Sequence, residues 1–137
     1  MIINAENLIA GRIGTVAAKR ALLGEEVYIV NAEKAVISGS KKVIFEKYDK
    51  QSHRGEPFHG PFLPKTPDRL LKRMIRGMLP YKQYKGRIAF KKIKCYRGVP
   101  EEFNGKDFES IEKANVSKMQ YFKFISIGDL CELLKKR

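Results

Sequence analysis

The run Ile9-Ala10-Gly11-Arg12-Ile13-Gly14-Thr15-Val16-Ala17-Ala18-Lys19-Arg20-Ala21-Leu22-Leu23-Gly24, with Val27-Tyr28-Ile29-Val30 close behind it, decides the fold. Thr15 to Leu23 is rich in helix formers and is stopped by Gly24. Val27 to Val30 is a compact β-branched and aromatic run suited to a buried strand. Ahead of the helix, Ile2-Ile3-Asn4 reads as the end of a first strand and Asn4-Ala5-Glu6-Asn7 as the turn that leaves it. Strand, helix, strand in this order predicts a right-handed parallel βαβ unit, and hence an α/β chain.

Beyond this unit, Ala35-Val36-Ile37 is a further short strand, and Ser38-Gly39-Ser40 is a turn able to cap a helix from Lys41 that puts Ile44, Phe45 and Tyr48 on one side. Gln51 to Lys65 reads as a loop, with Pro57, Pro61, Pro64, Gly55 and Gly60. Thr66-Pro67-Asp68 is a helix start, with a Thr cap, Pro at the first position and an acid at the positive end of the dipole. That helix runs to about Leu79, where Pro80 stops it. A further short helix ends near Ile88 to Phe90. Lys92 to Arg97 alternates strictly, which predicts a strand with Ile93 and Cys95 facing inward. Gly98 to Ser117 is polar and acidic. Ser126 caps a last helix on which Ile127, Leu130, Cys131 and Leu134 share a face.

With 137 residues, 43% of them hydrophobic, the chain is expected to be one domain with a packed core. No apolar run approaches the roughly 20 residues of a membrane span. The start lacks the basic and apolar regions of a signal peptide, so a cytoplasmic location is expected. Cys95 and Cys131 are then expected to be reduced, and a disulfide is not. Charge is the strongest signal: 28 Lys and Arg against 15 Asp and Glu, a net of +13. It is concentrated, because residues 54–97 hold thirteen Lys and Arg against only Glu56 and Asp68, a net of +11. A solvated basic face explains scattered lysines better than such a block, so a polyanionic partner is expected.

Helix 66–79 carries Arg69, Lys72, Arg73 and Arg76 at i, i+3, i+4 and i+7, and Leu71, Met74, Ile75 and Met78 at the same spacing two residues on. At 100° per residue these are opposite stripes, one to pack on the body and one to offer four cations. Three are arginines, whose fork matches phosphate oxygens. Arg54, Lys82, Lys85 and Arg87 extend the footprint. Tyr81, Tyr84 and Tyr96 interleave with these cations and either stack on bases or pack as edges of the core. The loop presents Phe58, Phe62, His53 and His59 beside Arg54, and is ordered either by RNA or by the protein's own surface.

Other chemistries find little support. Gly11-Arg12-Ile13-Gly14 fits a phosphate-binding turn no better than a tight strand-to-helix connection. His53, His59, Cys95 and Cys131 lack zinc-ligand spacing. Ser38 and Ser40 have no neighbouring base, and the carboxylates from Glu101 to Glu112 mark no catalytic pair. No Trp anchors a membrane interface. RNA binding ranks first. A DNA-binding or nucleotide-binding α/β protein is the alternative, and no enzyme activity, cofactor, metal or small-molecule substrate is expected.

Asn31-Ala32-Glu33-Lys34-Ala35-Val36-Ile37-Ser38-Gly39, Arg76-Gly77-Met78-Leu79-Pro80 and Lys94-Cys95-Tyr96-Arg97-Gly98-Val99-Pro100 resemble the signature stretches of the universal large-subunit ribosomal protein L13 family. Asn4-Ala5-Glu6-Asn7-Leu8-Ile9-Ala10-Gly11-Arg12 resembles that family's opening. The resemblance is closest to the archaeal form, and the loop at His53-Arg54-Gly55 departs from the bacterial His-Ser-Gly-Tyr pattern. It implies a three-layer α/β/α domain around a small, mostly parallel four-stranded sheet. It also implies a structural constituent of the large subunit, with large-subunit rRNA and neighbouring ribosomal proteins as partners and a role in early assembly. Asn31, Lys34, Gly39, Gly77 and Pro80 are carried over as motif positions. Gly77 either lets the backbone approach RNA or eases packing. One domain, 1–137, is expected, with a basic loop-helix segment 51–97 and a tail 101–137 of open role.

Overall fold

A computed structural model describes residues 1–136. β1 (Ile2–Asn4), β2 (Val27–Val30) and β4 (Ile93–Cys95) form a parallel sheet in the order β1-β2-β4, with Ile3 opposite Ile29 and Ile29 opposite Cys95. β3 (Val36–Ser38) pairs instead with β5 (Phe124–Ser126), antiparallel. The outer edge of β1 is met only by a one-residue bridge from Ile3 to Glu109. The main sheet is thus small and parallel as expected, with three strands in place of four because β3 pairs with β5 instead. A parallel bridge from Ile9 to Val36 ties the two β units together.

The first helix, α1, covers Ala10–Leu22 and begins earlier than its helix formers suggest. Ala10, Ile13, Gly14, Ala17, Ala18 and Ala21 are its buried stripe, small enough for close approach to its neighbours. Gly11 and Gly14 therefore lie inside a helix, and the phosphate-turn and connection readings are both corrected. A Cβ on Gly14 would come within 2.8 Å of the Met78 sulfur, so its role is helix packing. Gly24 ends α1 as read, at φ 100°, a conformation L side chains rarely adopt.

α2 (Lys41–Ser52), α3 (Pro67–Arg76), α4 (Tyr84–Lys92) and α5 (Ile127–Lys135) complete the fold. α1 packs against α3 and α4, and α3 also packs against β4 and α5. Ser126 caps α5 as its sequence indicates, its Oγ accepting from the Asp129 N–H at 3.1 Å. Ser40 and Thr66 hold the cap positions of α2 and α3, but their side chains make no capping hydrogen bond. α3 stops at Arg76, three residues early, because Gly77 to Pro80 turn the chain. Met78 then leaves the apolar stripe and lies over Gly14.

Two of the stretches quoted above, 31–39 and 94–100, meet in the structure. Asn31 sits at φ 55°, where Asn is tolerated, and its Nδ2 donates to Asn4 Oδ1 at 3.0 Å, joining the ends of β1 and β2. Its N–H donates to the Gly98 carbonyl, and the Gly98 N–H donates back to the Glu33 carboxylate. Lys34 pairs with Glu6 at 3.0 Å on the surface.

Gly86 was not singled out by its sequence, yet it is the tightest of these positions within a helix. A Cβ there would lie 2.1 Å from the Pro80 carbonyl oxygen, which is backbone and cannot swing away. Gly77 has φ −63° and its nearest neighbour, the Met74 carbonyl, at 3.4 Å. Gly86→Ala is expected to destabilise by roughly 1–3 kcal/mol in urea unfolding, and Gly77→Ala to change stability by less than about 1 kcal/mol. Equal losses would contradict this assignment.

Candidate nucleic-acid interface

α3 forms where Pro67 presets the first turn and Asp68 meets the positive end of its dipole. Leu70, Leu71 and Ile75 are at most 1% exposed. Their burial against α1, β4 and α5 fixes the rotation of the helix and turns its other stripe outward. Arg69, Lys72, Arg73 and Arg76 consequently line a single groove of about 340 Å³, closed by Phe62, Pro64 and Phe90.

Three of the four cations are oriented without being neutralised. Arg73 donates through Nη1 to the Phe62 carbonyl at 2.9 Å. Lys72 lies 4.9 Å from the Phe90 ring centre, and Arg76 lies 5.1 Å from that of Tyr81. Carbonyls and ring faces hold a cation in place and leave its charge intact. None of the ion pairs among the described residues uses a Lys or Arg between 54 and 97. Glu56, one of the two acids in that block, is paired with His59. The other, Asp68, lines a neighbouring hollow with Arg69, Lys72 and Lys94. Arg69 and Lys72 thus belong to both depressions, and Lys94 extends the positive surface onto β4.

The other expected site residues are separate from this groove. Arg54, Lys82, Lys85 and Arg87 are exposed, Arg54 after α2, Lys82 before α4, and Lys85 and Arg87 on α4. Among the tyrosines, Tyr96 packs on Phe103 at 5.7 Å between ring centres, while Tyr84 stays 76% exposed. The loop is held to the body by buried Leu63 and by the Arg73 bond, and Phe58 projects at 89% exposure. Within the chain, a Cβ on Gly77 would meet nothing closer than the Met74 carbonyl at 3.4 Å, while the Pro80 carbonyl accepts from the Gln83 N–H and abuts Gly86.

One surface escaped the sequence reading. Arg12, Lys118, Lys123 and Tyr121 line a hollow of about 660 Å³ beside the Gly39 turn. Lys118 to Phe124 contains two lysines, three aromatics and no acid, a local signal masked by the near-neutral average of the tail. Among the described residues no group of His, Cys, Asp or Glu is arranged to hold a metal, and no helix is long and apolar enough to cross a membrane.

Both cysteines are chemically quiet. Burial pushes the Cys95 thiol up to about 12, against a smaller opposing pull from Lys72, and pushes Cys131 up to about 11. Neither supplies a thiolate nucleophile at neutral pH. Iodoacetamide labelling of the folded protein should keep rising through pH 10, because the thiolate fraction grows about tenfold per unit below the pKa. Unfolded protein should label at an ordinary thiol rate. A plateau below pH 9.5 in the folded state would contradict the burial.

A family model described as ribosomal protein L13 matches residues 1–102. Three archaeal proteins, each named large ribosomal subunit protein uL13, are similar over nearly the whole chain. That of Methanococcoides burtonii is 47% identical, covering 97% of this chain and 96% of its own. That of Archaeoglobus fulgidus is 42% identical, covering 97% and 86%. That of Methanosarcina barkeri is 46% identical, covering 96% and 94%. The tail beyond residue 102 is therefore shared with these relatives although the family model stops short of it.

Proposed function

The chain belongs to the ribosomal protein L13 family, and from that premise we propose that it binds large-subunit rRNA through the outward stripe of α3 and supports early assembly of the subunit. It is a structural constituent of the large ribosomal subunit rather than an enzyme, and is located on the ribosome in the cytoplasm. Arg69, Lys72, Arg73 and Arg76 clamp phosphates of folded RNA. Arg54, Lys82, Lys85 and Arg87 extend the contact along the strand. Neighbouring ribosomal proteins of the large subunit are the remaining partners. The folded body serves as one rigid mount for this basic segment.

One observation carries the reading: four cations line one groove and, among the described residues, none is matched to a carboxylate. Such a surface repels itself until a polyanion arrives, and each phosphate neutralised releases condensed counterions. The charge is thus a source of affinity as well as a local strain on the free protein. The alternative reading, a nucleotide-binding turn at Gly11, has lost its support, since that glycine is helical.

Replacing Arg69, Lys72, Arg73 and Arg76 together by Gln tests this. With a large-subunit rRNA transcript, the slope of log affinity against log salt should become shallower by about 3–4, at roughly 0.9 per phosphate contact. Binding at moderate salt should weaken by about 100-fold or more. Circular dichroism should be unchanged, because the buried stripe is untouched. A folded variant that keeps the wild-type affinity and slope overturns the proposal.

A further inference from the structure

We propose that the Gly39 turn and the segment 118–123 form a second RNA groove, which takes an unpaired nucleotide with its base against Tyr121 and its phosphates against Arg12, Lys118 and Lys123. The proposal rests on the reading that the partner is RNA, and it gives the tail a role that the α3 groove does not supply. The two grooves share no lining residue.

The second groove is built from distant parts of the chain. Gly39, at φ 128°, lets the turn after β3 pass close to the tail, and its N–H donates to the Lys123 carbonyl at 2.7 Å. Pairing of Ser38 with Phe124 begins the β3–β5 ladder at the same point. The other end of the segment is held at Asn115, whose side chain accepts from the Ser117 N–H, while the Val116 N–H donates to the Asn7 carbonyl. Residues 118–123 thus run between two fixed ends. Arg12 is aimed by a hydrogen bond from its guanidinium to the Lys113 carbonyl.

The chemistry of the lining selects the occupant. Three cations and the serines Ser38 and Ser40 line the groove with Tyr121, and no carboxylate is among the described lining residues. Glu112 pairs with Lys118 at 3.9 Å with its side chain 87% exposed, a contact that a phosphate displaces readily. Tyr121, which lines the groove, is 80% exposed, and the next residue, Phe122, is 75% exposed. Cations next to uncovered aromatic faces match a phosphate next to an uncovered base. In a duplex the base faces are already stacked, so the geometry points to a single-stranded loop or bulge. The volume, about 660 Å³, suits one nucleotide with part of its neighbours.

The test uses the full chain and a fluorescein-labelled dodecauridylate, followed by anisotropy over a range of salt. Tyr121→Ala should weaken binding by about tenfold with the salt slope unchanged, the size expected for one stacked base, and Tyr121→Phe should restore it. Lys118→Gln with Lys123→Gln should make the slope shallower by about 1.4, at roughly 0.7 per contact on a single strand. In assembled large subunits carrying 4-thiouridine, the tryptic peptide Met119–Lys123 should crosslink to RNA. Wild-type affinity in both variants, absence of oligonucleotide binding by the wild type, or a crosslink to a ribosomal protein in place of RNA overturns the proposal. If the α3 variant still loses rRNA in that case, the reading of the main interface stands. If the wild type binds neither oligonucleotide nor rRNA, that reading falls as well.

Discussion

Burial of Leu70, Leu71 and Ile75 is the constraint on which the charged surface depends. Fully removing three such side chains from water contributes on the order of 5–9 kcal/mol. Four like-charge neighbours at i, i+3 and i, i+4 along the same helix oppose it by about 1–2 kcal/mol in total. Burial wins by several-fold, so α3 is stable while carrying an uncompensated stripe. The same burial sets the rotation of the helix, and this converts four cations spaced along a sequence into one groove. A helix free to roll would offer the same charge without the shared lining.

The rest of the scaffold keeps α3 at a fixed height above the sheet. Small residues along α1 let α3 and α4 approach closely, and Gly14 and Gly86 mark where backbone or sulfur occupies the space of a side chain. At the ends of the parallel strands, Asn31, Glu33 and Gly98 exchange hydrogen bonds that join β2 to the chain leaving β4. Two of the stretches that carry the family resemblance, 31–39 and 94–100, meet at this joint. Neither Asn31 nor Glu33 lines the basic groove, and at this joint both serve to hold the chain together.

Charge held by carbonyls and rings rather than carboxylates gives the interface its character. Arg73 on the Phe62 carbonyl, Lys72 on Phe90 and Arg76 beside Tyr81 are placed before any ligand arrives. Preplacement reduces the side-chain entropy lost on binding. Arg73 also draws the proline-rich loop onto the body, so the protein's own surface supplies part of the order that such a loop requires.

Much of this was legible in the residues themselves. The βαβ order, the Gly24 stop, the Ser126 cap, the apolar stripe of α5 and the opposed stripes of α3 all follow from local periodicity and backbone chemistry, which act over a few residues. The concentration of charge between 54 and 97, and with it the expectation of a polyanionic partner, needs only counting. What the residues could not show were relations between distant segments. The register that pairs β3 with β5 lies in this class, as do the helical setting of Gly11 and Gly14, the contact that makes Gly86 obligatory, and the meeting of Arg12 with Lys118 and Lys123. Each depends on which surfaces are pressed together when the core excludes water, and that is a property of the whole packed chain.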